Sequence, residues 1–118
     1  RGRVIFGAGP GALPSDAAMF GLKPVDQRPR MEEALEAIVP LLRGETVTKK
    51  TSWFECCEAR LSIGCYTQPS MPLAITSIRS PTGVVQAGKY GAMVLVLALG
   101  VFLPIWELGQ AALTSGNR

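Results

Sequence analysis

Gly7, Gly9 and Ala12, in the stretch "VIFGAGPGAL", stand at the G-x-G-x-x-A spacing of a dinucleotide-binding turn. Such a turn needs a helix that starts at the glycines, so that its N–H groups meet a pyrophosphate, and an acidic residue about 20 positions later at the end of a second strand. Pro14 and Ser15 restart the chain soon after Gly11, and the acids near that distance, Glu32, Glu33 and Glu36, sit in a helical pattern. The spacing is therefore read as a strand followed by glycines that let a planar ligand approach the backbone, because glycine carries no Cβ. A turn without a ligand is the ordinary alternative.

Few other residues could do chemistry. The 118-residue chain has no histidine, which excludes a Ser-His-Asp triad, a Cys-His pair and a His-ligated metal within it. Cys56, Cys57 and Cys65 lack the paired C-x-x-C spacing of a zinc site or a thioredoxin-like motif. They read as unpaired thiols on or near a strand, in a reducing cytoplasm. The net charge is +3, but the arginines and lysines are scattered, without the aromatic interleaving that tracks a phosphate backbone, so nucleic acid is not an expected partner. No metal is expected.

The elements that would position these residues follow from local pattern. At 47% hydrophobic and 18% charged the chain is globular in composition, about one small domain long. Its opening on Arg1 and an apolar run is expected of a piece of a longer protein. Val4 to Phe6 suit a short strand, and "PSDAAMFGL" a short helix with Ser15 or Asp16 as N-cap and Gly21 as its stop.

"QRPRMEEALEAIVPLLRGE" is the clearest helix, with Met31, Leu35, Ile38 and Leu42 on one face, Glu32 and Glu33 in its first turn, Arg43 in its last and Gly44 at its end. Pro40 should kink the last turn. Thr46 to Gln68 read as a two-stranded excursion, "MPLAIT" as a core strand, and "SPTGVVQAGKYG" as a helix with Ser80 as N-cap, Pro81 first and Gly91 as its stop. Ala92 to Leu99, apolar without alternation, suit a parallel strand covered on both faces. The apolar run to Trp106 is too short and too broken by Gly100 and Pro104 to span a membrane. The order β, α, hairpin, β, α, β predicts parallel strands with crossover helices.

"GRVIFGAGPGALPSDAAMFGL", "QRPRMEEALEAIVPLLRGE", "WFE...ARL" and "AITSIRSPTGVVQAGKYG", in this order and spacing, closely resemble the bacterial luciferase-like flavin-dependent monooxygenases, and within them the limonene-monooxygenase-like branch. The likeness covers about Arg1 to Leu99. It implies an α/β fold, a partial (β/α)8 TIM barrel holding about strands 4 to 6 with a β-hairpin insertion. Residues 1–99 would be the central part of that domain and residues 100–118 a divergent tail, whose origin as divergence or a damaged reading frame stays open. A complete barrel needs about 250 residues, so the isolated slice is expected to be poorly stable and inactive.

The resemblance further implies reduced FMN supplied by a separate flavin reductase, O2 and a small organic substrate as reactants, and a homo-oligomeric parent. Alternatives are the deazaflavin F420 as cofactor, or a noncatalytic flavin-family binding subunit. By the same resemblance Arg28, just before the long helix, matches a phosphate-binding arginine, and Ser80 a phosphate-binding serine after strand 5. Thr82 and Gly83 stand where a second hydroxyl can serve, and Gly7 and Gly9 open the floor of the site. A solvated arginine at a helix start and an ordinary N-cap are the plain readings of Arg28 and Ser80. Two departures bear on the site: Arg79 replaces an acid, and no cysteine stands near Gly9.

Overall fold

The computed structural model describes residues 2–77 and 81–96. It is an α/β arrangement of two sheets and three helices. β1 (Phe6–Ala8) leads into α1 (Pro14–Met19) and α2 (Pro24–Leu42), and the hairpin β2 (Val47–Lys50) and β3 (Glu55–Ala59) follows. β4 (Leu73–Ser77), α3 (Pro81–Tyr90) and β5 (Met93–Val96) complete the order. β4 is central, pairing in parallel with β1 on one side and β5 on the other. Parallel neighbours need crossovers, which α2 with the hairpin supplies for β1 to β4, and α3 for β4 to β5.

The core lies between this sheet and two helices on one of its faces. Ile75 of β4 is 0% exposed and Leu35 of α2 1% exposed, and they cluster with Met31, Val39 and Ala87, so α2 and α3 cover the same side. Side chains alternate along a strand, so Ala74 and Thr76 leave β4 on the opposite face. The β5 residues Met93 and Leu95, in register with them, are 49% and 53% exposed. β5 is thus not covered on both faces, contrary to what its unbroken apolar run predicts. With β1, it is one of the two edge strands of the sheet among the described residues. Leu97 to Leu99 of the expected strand and the tail 100–118 lie outside those residues.

The expected elements form, with shifted starts. α1 begins on Pro14 with Leu13 as N-cap and no side-chain cap, so neither Ser15 nor Asp16 serves. Proline at a first helical position gives up an N–H that has no partner there anyway, and its fixed φ suits the helix. α2 likewise starts on Pro24 and passes through both Pro29 and Pro40. Glu32 and Glu33 are therefore mid-helix, and only Asp26 lies in the first turn. Its buried stripe is Met31, Leu35 and Val39, while Ile38 and Leu42 are half-buried. The i, i+4, i+8 row is the one that clusters with Ile75 of β4, while Ile38 borders a groove with Phe6 and Ala8 of β1.

Gly21, Gly44 and Gly91 end the three helices in the left-handed region, at φ +66°, +81° and +63°. At Gly21 and Gly91 the next N–H reaches back to Ala17 and Ala87 carbonyls, both at 2.8 Å.

The hairpin forms a separate sheet and docks on α2 through side chains. Trp53 Nε1 donates to Glu33 Oε2 at 2.6 Å, the Arg30 guanidinium lies 5.4 Å from the Trp53 ring centroid, and Phe54 meets the same ring edge-on. Glu36 accepts from Lys49 of β2 and from Lys89 of α3, the latter at 3.4 Å, and so joins three elements. Cys56 and Cys57 lie in β3, and the Cys65 thiol donates to the Leu42 carbonyl at 3.1 Å. No helix of the described residues is long and apolar enough to cross a membrane.

Truncating Leu35 to Ala is expected to cost about 2–5 kcal/mol, because the cavity opens beneath Ile75 where neither helix can follow it inward. Chemical denaturation of the two proteins measures the loss.

The hydrogen bonds from Lys49 and then Lys89 hold the Glu36 carboxyl below its usual 4.5. Its folded-state value is thus depressed, so its contribution is complete above about pH 4.5 and fades as pH falls through the lower folded value. With 44% of the Glu36 side chain exposed, solvent screening limits each contact to about 0.2–1 kcal/mol. Glu36→Gln should remove this part of the stability loss below pH 4.5, as read from denaturation midpoints of both proteins across pH 3 to 6.

Candidate functional site

The carboxyl ends of parallel strands are where the chain leaves the sheet and backbone groups become available to a ligand. Here the ends of β1 and β4 and the beginnings of α2 and α3 border one cleft of about 700 Å³. Gly9, Gly11, Gln27, Arg28, Met31, Thr76, Ser77, Thr82 and Gly83 are among its walls. That volume lies within the 300–1,000 Å³ usual for cofactor and small-molecule sites. Arg28, Thr82, Gly83 and Gly9, four of the expected site residues, thus come together. Gly7 does not join them and borders a second groove of about 560 Å³ along the open edge of β1, with Phe6, Phe20, Ile38 and Trp53. Ser80, with Arg79, lies outside the described residues.

Arg28 sits one turn inside α2 rather than before it, since the helix begins at Pro24. Its side chain is exposed, and no described residue gives it a hydrogen bond or ion pair. α3 spans ten residues, and its first turn presents the half-buried Thr82 to the cleft. A helix start with a hydroxyl beside it and a guanidinium opposite favours an anion, through backbone N–H groups and through charge.

The glycines have packing reasons of their own. A Cβ on Gly83 would stand 2.8 Å from the Thr76 carbonyl oxygen and 2.9 Å from Ser77 Cβ, so only glycine lets α3 start this close to the end of β4. A Cβ on Gly9 would press into the Thr76 hydroxyl, and one on Gly11, at φ +86°, would come 2.9 Å from Gln27 Nε2. Gly7 has open space where a Cβ would be. Thr76, Ser77 and Gln27 were not expected at the site. The signal for the first two was available in principle: they end the strand that precedes a Ser-Pro helix start, on the side where a ligand sits.

The elements agree with setting the dinucleotide reading aside. After Gly11 the chain makes only a six-residue helix, and Glu32, Glu33 and Glu36 all lie on α2 instead of a strand end. The cleft faces α2 and α3, and the helix after the glycines plays no part in its lining.

A cleft at the carboxyl ends of a parallel α/β sheet is where barrel and open-sheet folds place their ligands. The family model described as luciferase-like monooxygenase matches residues 1–102, and the chain belongs to that family. It is 53% identical over 98 residues to limonene 1,2-monooxygenase of Rhodococcus erythropolis, an alignment covering 83% of this chain and 25% of that protein. It is 45% identical over 92 residues to 4-hydroxyprotoasukamycin monooxygenase of Streptomyces nodosus subsp. asukaensis, covering 77% of this chain and 25% of that protein. The chain thus spans about a quarter of the length of these relatives.

Gly9→Ala should destabilise the fold by about 1–3 kcal/mol, because Thr76 is β-branched and stiff and cannot yield freely. Thr76→Ala in the same chain should recover most of that loss, and a double-mutant cycle by denaturation measures the coupling.

Proposed function

We propose that this chain is the central slice of a luciferase-like (β/α)8 barrel and carries the phosphate end of a reduced-FMN site in a monooxygenase of small organic substrates. β1, β4 and β5 correspond in this reading to barrel strands 4, 5 and 6, the hairpin to an insertion, and residues 1–99 to the barrel portion. The observation that carries it is the meeting of Arg28 with the start of α3 in one cleft at the strand ends. Helices on one face of a parallel sheet, with Ala74, Thr76, Met93 and Leu95 on the other, also suit a barrel wall whose bare face looks inward.

Each residue then has a definite task. Arg28 supplies a positive charge for the phosphate, and the α3 N–H groups with Thr82 and Ser80 supply donors to its oxygens. Gly9 keeps the floor of the cleft low enough for a flat ring to lie near the backbone. Bound reduced FMN supplies the reaction with O2, while the protein orients it and keeps water away. A flavin reductase as supplier, a homo-oligomeric parent and the cytoplasm as compartment belong to the same reading. The slice alone lacks the remaining wall of the site, so we expect it to be inactive by itself.

Titration of FMN into the barrel protein that contains this segment tests the assignment. Arg28→Ala and Ser80→Ala should each weaken binding by about 1–3 kcal/mol, roughly 5- to 150-fold, as expected for lost hydrogen bonds to a charged group. Unchanged affinity in both variants would remove it. Parallel titration with F420 decides between the two cofactors.

A further inference from the structure

Thr76 and Gln27 are two polar side chains that the phosphate site does not use. Both border the cleft, and both come up against the loop that follows β1: the Thr76 hydroxyl beneath Gly9, the Gln27 amide nitrogen beneath Gly11. No described residue gives either side chain a hydrogen bond. Both are only half-buried, so each keeps a path to a ligand in the cleft.

Thr76 is set apart from the anion-binding end, while Gln27 stands beside Arg28 at the start of α2 and reaches toward Gly11. Ile75 points to the helices, so its neighbour Thr76 leaves β4 on the opposite face, away from the side on which α3 is packed. An anionic group held at the start of α3 and by Arg28 therefore lies at one end of the cleft. Whatever else the ligand carries passes Thr76 and the Gly9–Gly11 loop. A hydroxyl that can donate or accept and a carboxamide with two donors and one acceptor, both bordering one cleft, complement a flat ring edge of alternating carbonyl and N–H groups.

We propose that Thr76 and Gln27 orient the ring of the cofactor by hydrogen-bonding its polar edge, and that the glycines at 9 and 11 exist so that these two side chains can reach under the loop. The proposal rests on the flavin reading above. It assigns ring orientation to residues outside the phosphate site, which makes the two separable.

The experiment compares FMN with riboflavin, which has the same ring and no phosphate, by fluorescence titration of the barrel protein containing this segment. Thr76→Val and Gln27→Leu should each weaken both ligands by a similar factor, about 3- to 10-fold per neutral hydrogen bond lost. They should also shift the visible band of the bound flavin, and leave the thermal midpoint near that of the parent. Thr76→Ser, which keeps the hydroxyl, should restore affinity. Arg28→Ala, by contrast, should weaken FMN alone.

Parent-like affinity for both ligands in Thr76→Val and Gln27→Leu overturns the proposal. So does a loss that follows the thermal midpoint and that Thr76→Ser does not restore, since that is a packing effect. If the parent binds neither flavin, the flavin reading falls and takes the ring-edge assignment with it, a result distinct from parent binding with unaltered variants.

Discussion

The burial of Ile75 is the constraint on which the rest depends. A strand bonded in parallel on both sides has no edge of its own, and its side chains must find cover on the faces. β4 finds it on one face only, where Leu35, Val39 and Met31 of α2 and Ala87 of α3 close over Ile75. Because both helices are drawn to that one side chain, both have their first turns near the carboxyl end of β4. The cleft between them is a by-product of this packing. Its chemistry comes from which residues occupy those first turns.

Two kinds of force divide the work of holding the elements. Apolar contact fixes α2 and α3 to the sheet, while the hairpin is fixed to the helices by Trp53 with Glu33 and Arg30, and by Glu36 with Lys49 and Lys89. The first set is inside and insensitive to salt. The second is at the surface, where screening keeps each contact modest. Glu33 and Glu36 of α2 therefore give it a second contact face.

Most of the fold could be read from local pattern. The order of strands and helices, the parallel pairing and the glycine stops all follow from signals a few residues long, such as Gly21, Gly44 and Gly91 after apolar helical runs. What local pattern misplaces are helix starts. Pro14 and Pro24 take the first helical position themselves, so a polar cap is no longer the best marker of where a helix begins. It also misplaces exposure, because β5 reads as covered on both faces while its cover depends on elements far along a chain.

The site was partly legible, since Arg28, Thr82, Gly83 and Gly9 do share a cleft. Gln27 was not, because its place depends on how closely α2 approaches the loop after β1, a distance that sequence does not encode locally, whereas Thr76 and Ser77 carry a signal in their position at the end of the strand before a Ser-Pro pair.

Among the described residues the hairpin shares no backbone ladder with the main sheet, and its two strands pair only with each other. Its attachment is through side chains, and its two ends return the chain to the path from α2 to β4. A segment joined in that way is a graft: its residues can vary, so long as Trp53 and Lys49 keep their partners on α2, without changing which residue of β1 stands opposite which residue of β4. The register Phe6 to Leu73 and Ala8 to Ile75, and with it the geometry of the cleft, is insulated from such changes. Within this architecture the outer contour is free to vary while the floor of the site keeps its shape.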